Sequence, residues 1–138
     1  MNKAKELLLA GEYTCVVYTI TGTTLTSNDP GIKPPMRWLR ENPVLLQNAD
    51  VADKVIGLAA AMLFAHGGVK AVWGGIMSKA ALAFLQQQGI GAEYGQLVPQ
   101  IMNRAGDGLC PMEQRALACE TAAEAFAIFD GLIPGKSS

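Results

Sequence analysis

From Val55 to Ala92 the chain carries two formal charges, Lys70 and Lys79, and is punctuated by Gly67-Gly68, Gly74-Gly75 and Gly89-Ile90-Gly91. So long a stretch with so few charges has to be covered by protein on nearly every side, as the centre of a layered sheet is. Its punctuation divides it. Asp50 or Asp53 is placed to open a helix that runs to about Ala65 and ends at Gly67-Gly68. Val69 to Ile76 then reads as a buried strand, Ser78 as the N-cap of a helix Lys79 to Gln88, Gly89 as its stop, and Ala92-Glu93-Tyr94 as a short strand. Strand, helix and strand joined by tight glycine turns make a right-handed βαβ unit.

The flanks are more conventional. Lys3 to Ala10 has helical composition and Gly11 stands where a C′ glycine would. Tyr13 to Ile20 is rich in β-branched and aromatic residues and reads as a strand, which Thr21-Gly22 turns into a second strand around Thr23 to Ser27. Asn28-Asp29-Pro30-Gly31 is a turn, Lys33-Pro34-Pro35 cannot pair in a ladder, and Met36 to Glu41 forms a short helix stopped before Pro43. Leu97 to Met102 reads as a short helical or irregular segment. Further on, Pro111 suits the first position of a helix with Cys110 as its N-cap residue and Glu113 in its first turn. Gln114 to Ala118 and Thr121 to Leu132 continue as helix, with Thr121-Ala122-Ala123-Glu124 matching a capping box. At 138 residues the chain is expected to be one domain spanning 1–138, large enough to fold without a disulfide or metal staple.

Charge excludes some functions. With 11 Lys and Arg against 12 Asp and Glu, the net charge of −1 lacks the basic footprint of a non-specific nucleic-acid binder. No apolar run reaches the ~18–20 residues of a membrane span, and Leu7 to Ala10 is too short for a secretory signal. Cys15, Cys110 and Cys119 are odd in number and form no CxxC pair, which fits reduced thiols and a cytoplasmic protein. The expected partner is a small molecule of unknown identity, with no nucleic acid and no membrane.

Few residues in so apolar a chain can carry chemistry. The sole histidine, His66, ends an apolar helix and reads as a cap on its last carbonyls, so no His/Cys cluster exists to hold zinc. The glycines match neither a P-loop nor a GxGxxG fingerprint, and most read as turn and helix-stop residues. No cofactor is expected. Ser78-Lys79, at the end of a parallel strand, has two readings: an anion seat at a helix N-terminus, or a plain cap beside a solvated lysine. Asp53 at a helix start suits the macrodipole, whereas Lys54 there does not, which makes Lys54 a candidate site residue. Cys110 is either a nucleophile activated by a helix N-terminus or an inert buried thiol. Arg104 and Asp107 lie in the glycine-hinged loop before it.

Tyr13-Thr14-Cys15-Val16-Val17, Ala52-Asp53-Lys54-Val55, Gly68-Val69-Lys70-Ala71-Val72, Met77-Ser78-Lys79 and Gly108-Leu109-Cys110-Pro111-Met112-Glu113 together give the chain its resemblance. It resembles a family of small bacterial and archaeal proteins of unknown function assigned to the cytidine deaminase-like superfamily. The resemblance implies an α/β fold, a three-layer α/β/α sandwich with a mixed central sheet. Deaminases of that superfamily hold zinc with a His/Cys-x-Glu motif at one helix start and Pro-Cys-x-x-Cys at the next. The corresponding positions here fall near Ala52-Asp53-Lys54 and Ile76-Met77-Ser78-Lys79, and neither carries zinc ligands.

The leading expectation is therefore a deaminase-fold protein that binds a nucleotide- or nucleoside-like ligand at helix N-termini without a catalytic zinc. Asp53, Lys54 and Cys110 are its candidate catalytic residues, and Ser78, Lys79, Arg104 and Glu113 its candidate ligand-binding ones. Two rivals stand beside it. One is an enzyme with Cys110 as nucleophile. The other is a non-catalytic module that self-associates as a homo-oligomer, with Met36, Trp38 and Leu39 either as its apolar patch or, for Trp38, sealing the core.

Overall fold

The computed structural model describes residues 2–29, 31–102, 108 and 110–132. In chain order they form α1 (Asn2–Ala10), β1 (Cys15–Tyr18), β2 (Thr24–Ser27), α2 (Lys33–Glu41), a 3-10 turn (Pro43–Leu46), β3 (Asp50–Ile56), α3 (Leu58–Gly67), β4 (Ala71–Ser78), α4 (Lys79–Gln87), β5 (Gly91–Val98), α5 (Pro111–Leu117) and α6 (Ala122–Leu132). The strands make one sheet in the order β2-β1-β3-β4-β5. Its β2-β1-β3 half is antiparallel and its β3-β4-β5 half parallel. This is an α/β fold, a mixed five-stranded sheet with helices packed on it.

Strand alternation sends side chains to opposite faces. Val16, Ala52 and Trp73 meet Ala4 and Leu8 of α1 on one face. Val17, Val51 and Val72 join Phe64, Leu85 and Phe129 in the larger core on the other. The helix α3, Leu-Ala-Ala-Ala-Met-Leu-Phe-Ala-His-Gly, has almost no polar face because α2, α4, α5 and α6 all pack against it.

Several local signals act as expected. Ser78 caps α4, its Oγ accepting the Ala81 N–H at 3.1 Å. Thr121 Oγ1 accepts the Glu124 N–H at 3.1 Å. The β1–β2 hairpin turns at Gly22, whose φ is 88°. Gly68 and Gly89 end α3 and α4 in the left-handed region, with φ of 81° and 72°.

Other expectations are corrected. The expected helix from Asp50 or Asp53 to Ala65 is two elements: Asp50, Asp53 and Lys54 lie in strand β3, and the helix begins only at Leu58. A fully buried central strand and a buried helix are both uninterrupted apolar runs, and periodicity alone does not separate them. The Val69–Ile76 strand lies two residues later, at Ala71–Ser78, and the three-residue strand at Ala92 is eight residues long, running on to Val98. Helix α2 starts at Lys33, because prolines in a first turn sacrifice no helical hydrogen bond. Gly11 is not in the left-handed region. Met36, Trp38 and Leu39 are all buried, so they form no surface patch for self-association. Among the described residues no helix is long and apolar enough to cross a membrane.

Gly74-Gly75 is no turn. Both residues sit inside β4, where the sheet breaks its alternation. The register runs Asp53↔Gly74 and Gly74↔Tyr94, then resumes at Val55↔Ile76 and Ile76↔Gln96. Lys54, Gly75 and Gly95 form the skipped row. A Cβ on Gly75 would lie 2.9 Å from the Lys54 carbonyl oxygen, and one on Gly95 2.9 Å from the Gly75 carbonyl oxygen. Only glycine allows backbones this close. Across the break Lys54 and Val55 are both exposed, while Asp53 before it and Ile56 after it are both buried. Gly75→Ala is expected to cost about 2 kcal/mol, from backbone displacement in a packed sheet. A shift in the urea unfolding midpoint at constant slope would measure it, and an unchanged midpoint would contradict the close approach.

Candidate functional site

The site is built where β3 leaves the sheet. Gly57 is extended and α3 begins at Leu58 without a Ser, Thr, Asp or Asn before it. The orphan amides of its first turn still need acceptors. They find them on α5: Leu58 N–H donates to Glu113 Oε1 at 2.6 Å and Ala59 N–H to Glu113 Oε2 at 2.7 Å. Gly57 admits this carboxylate, because a Cβ there would overlap it. Burial raises the Glu113 pKa, and the amides of Ala59 and Leu58 pull it back.

Asp53 lies one turn of chain earlier, on the core face of β3. It stands opposite Cys15 in the antiparallel register with β1 and is 6% exposed. Its Oδ1 accepts the Val55 N–H at 3.1 Å, and the Cys15 thiol donates to the same carboxyl. Burial pushes Asp53 up to about 7, against the lowering effect of the Val55 amide, the Cys15 thiol and the Lys54 amide. The Cys15 thiol is itself raised by burial first and by the neighbouring Asp53 second, so it stays protonated and a donor.

These groups border a cleft of about 470 Å³. Asp53, Lys54 and Val55 form one side, Gly57, Ala59 and Ala60 the floor along α3, and Ile101, Met102, Cys110 and Met112 the side nearest α5. Glu113 also borders a second hollow of about 110 Å³, on whose far side stand Ser78 and Ala80 at the start of α4. The larger cleft thus has apolar walls, a nearly buried carboxyl, an exposed lysine and a half-buried thiol.

Comparison with known proteins places the fold. The profile of the TM1506 family, a domain of unknown function (DUF1893), matches residues 3–133. The chain belongs to the DUF1893 family. The crystal structure of a DUF1893 family protein (TM1506) from Thermotoga maritima superimposes with a TM-score of 0.86 at 22% sequence identity, covering 96% of this chain and 88% of that one. At that identity the likeness concerns the fold. No curated protein matches the chain.

Of the candidate residues of this DUF1893 chain, Asp53, Lys54, Cys110 and Glu113 converge on the larger cleft. Ser78 lies beyond Glu113 in the smaller hollow, and exposed Lys79 borders neither. Arg104 and Asp107 lie outside the described residues. Asp53 and Lys54 reach the cleft from a strand and not from a helix start. His66 does not serve as the cap of α3, whose last carbonyls are taken by the Gly68 amide; its ring stacks on Phe126 of α6 at 4.9 Å. Among the described residues no group of three His, Cys, Asp or Glu is placed to hold a metal ion.

Two participants escaped the sequence reading of this DUF1893 chain. Cys15 carries no local sign of a role in the site, and its contact with Asp53 depends on a cross-strand register that no local pattern reveals. The capping of α3 by Glu113 had a faint signal. Gly57-Leu58-Ala59 opens a helix with no local cap, and such a helix needs a remote acceptor.

Proposed function

We propose that this protein binds a small, nucleoside-sized organic molecule in the 470 Å³ cleft, on a cytidine deaminase-like fold without a zinc site. The observation that carries the reading is the convergence there of the adjacent Asp53 and Lys54 with Cys110 from a distant part of the chain. A concave, mostly apolar cleft of several hundred Å³ with a few polar groups is the usual form of a small-molecule site. The β3-α3-β4-α4-β5 order, with parallel strands, supports the deaminase-like placement. The starts of α3 and α4, where that superfamily would carry zinc ligands, hold Gly57-Leu58-Ala59 and Ser78-Lys79-Ala80. None of these side chains fits zinc, and no step through a metal-bound water follows.

The ligand is better matched to a nucleoside than to a nucleotide. The Leu58 and Ala59 amides, which would cradle a phosphate at the start of α3, already donate to Glu113. A thermal-shift screen of nucleosides, nucleotides and metabolites tests the proposal, run in parallel on Val55→Trp, which fills the cleft from its exposed side. A true cleft ligand at a hundredfold excess over its Kd adds about 2.7 kcal/mol of stability. It is expected to shift the wild type, to shift Lys54→Ala less, and to leave Val55→Trp unmoved. A screen without hits, or hits that shift Val55→Trp equally, removes the cleft as the site.

A second reading rests on Cys110, whose thiol borders the cleft at the N-cap position of α5 without making a capping bond. As a nucleophile it would be labelled by iodoacetamide faster than a free cysteine below neutral pH. Labelling that follows the pH profile of a free cysteine rules this reading out.

A further inference from the structure

We propose that the cleft selects a cationic nitrogen group, of the amidine, guanidine or protonated amino-heterocycle type, seated on the Asp53 carboxylate. This rests on the cleft being a ligand site, and adds which charge the ligand presents and which atoms read it.

The argument begins with the groups that face Asp53. From β1 comes the Cys15 thiol, a neutral donor; from β3 itself, the Val55 amide at 3.1 Å and the neighbouring Lys54. From the start of α5 come Cys110, its N-cap residue, and Glu113, in its first turn, around the same cleft. Gly74, opposite Asp53 on β4, brings no side chain. Lys54 is the one cationic side chain among the described residues bordering the cleft, and it is exposed where Asp53 is buried. Both acids therefore sit deep, and the cation sits outside.

Anions have little to hold them there. The amides at the start of α3 are occupied by the Glu113 carboxylate, which also leaves that helix end compensated. A carboxylate or phosphate that passed Lys54 at the rim would meet the Asp53 and Glu113 carboxyls in the interior. Asp53 has acceptor capacity left: an ionised carboxylate offers about four lone-pair directions, and the Val55 amide, the Cys15 thiol and the Lys54 amide engage three. One N–H of a cationic N–C–N group takes the remaining direction as a charge-assisted hydrogen bond. The ligand's flat body would lie against Ala59, Ala60 and Met112.

Binding is then coupled to a proton. Burial keeps Asp53 protonated below about pH 7, and a cation binds the ionised form, so the proton leaves for solvent as the ligand arrives. Affinity for a permanently charged cation should rise with pH through neutrality and level off above it.

Benzamidine, benzamide and benzoate share one ring and one trigonal carbon and differ in charge, which makes them the probes. Titration calorimetry at pH 5.5 and pH 8 on the wild type and on Asp53→Asn tests the proposal. Benzamidine is expected to bind at pH 8 at least about tenfold more tightly than benzoate. Its affinity should fall about thirtyfold at pH 5.5, with net proton release seen as a buffer-dependent heat, and both the preference and the pH dependence should vanish in Asp53→Asn. Equal binding of the three probes, or tighter benzoate, overturns the charge selection while leaving the cleft a binding site. Benzamidine affinity unaffected by Asp53→Asn overturns the seat on Asp53. Failure of benzamidine to bind at pH 8 overturns the inference too, and the cleft is then judged by its metabolite screen and the Val55→Trp control.

Discussion

Replacing Glu113 by alanine should lower the unfolding free energy by about 3 kcal/mol, roughly a 10 °C fall in Tm for a domain of this size. Two charge-assisted bonds, at 2.6 and 2.7 Å, end on this carboxylate, and both donors are buried amides at the start of a helix that nothing else caps. Removing the side chain strands those amides, and a buried donor without an acceptor loses its hydration with nothing in exchange. Gly57→Ala should cost nearly as much by a different route. Its backbone conformation suits alanine, with φ at −98° and ψ at −178°, but the new Cβ would overlap the Glu113 carboxylate and expel it. The two changes break one interaction, so the double variant should be only slightly less stable than Glu113→Ala alone. Denaturant unfolding of the four proteins closes the cycle. Additive losses would show that Gly57 and Glu113 act separately. Hydrogen exchange should localise the damage, with the amides of the first turn of α3 losing protection first.

The second large effect is in the pH dependence of stability. Asp53 has a folded pKa of about 7 against an ordinary value of 3.8, because burial disfavours its charge. Between those values the folded chain holds a proton that the unfolded chain has released, so stability from this group is full below about pH 4 and falls as pH rises to about 7. At 1.36 kcal/mol per pH unit the loss amounts to about 4 kcal/mol. Asp53→Asn cannot ionise and should flatten that slope. At pH 8 the variant is expected to be about 4 kcal/mol more stable than the wild type, the asparagine keeping an acceptor for the Val55 amide. Near pH 4 the two should be close to equal. Urea unfolding from pH 4 to pH 8 measures both curves, and parallel curves would refute the buried carboxyl. A wild type that keeps a destabilising acid in the wall of a cleft fits the trade of stability for function common at binding sites.

How far the sequence reaches into this site depends on the distance over which each signal acts. Ser78 before Lys79, Thr121 three residues before Glu124 and Pro111 after Cys110 are satisfied within one turn of chain, and each element begins where those residues stand. The cleft draws on residues that local patterns picked out, Asp53, Lys54, Cys110 and Glu113, although the reasons given for two of them were wrong in kind. Asp53 and Lys54 drew attention as oddities at the start of a helix. They are oddities of a buried strand, and an acid in the middle of an apolar strand is the more telling anomaly.

The sequence by itself determined the class of fold, the βαβ order of its centre and most helix starts. Those follow from composition, residue chemistry and backbone constraints that act between near neighbours. Only the tertiary structure decided that Asp53 faces Cys15, that glycines at 75 and 95 form one row with Lys54, and that Glu113 caps a helix 55 residues away. Each of these depends on cross-strand register or helix docking. Register and docking are set by the packing of the whole core, and no window of sequence contains that information.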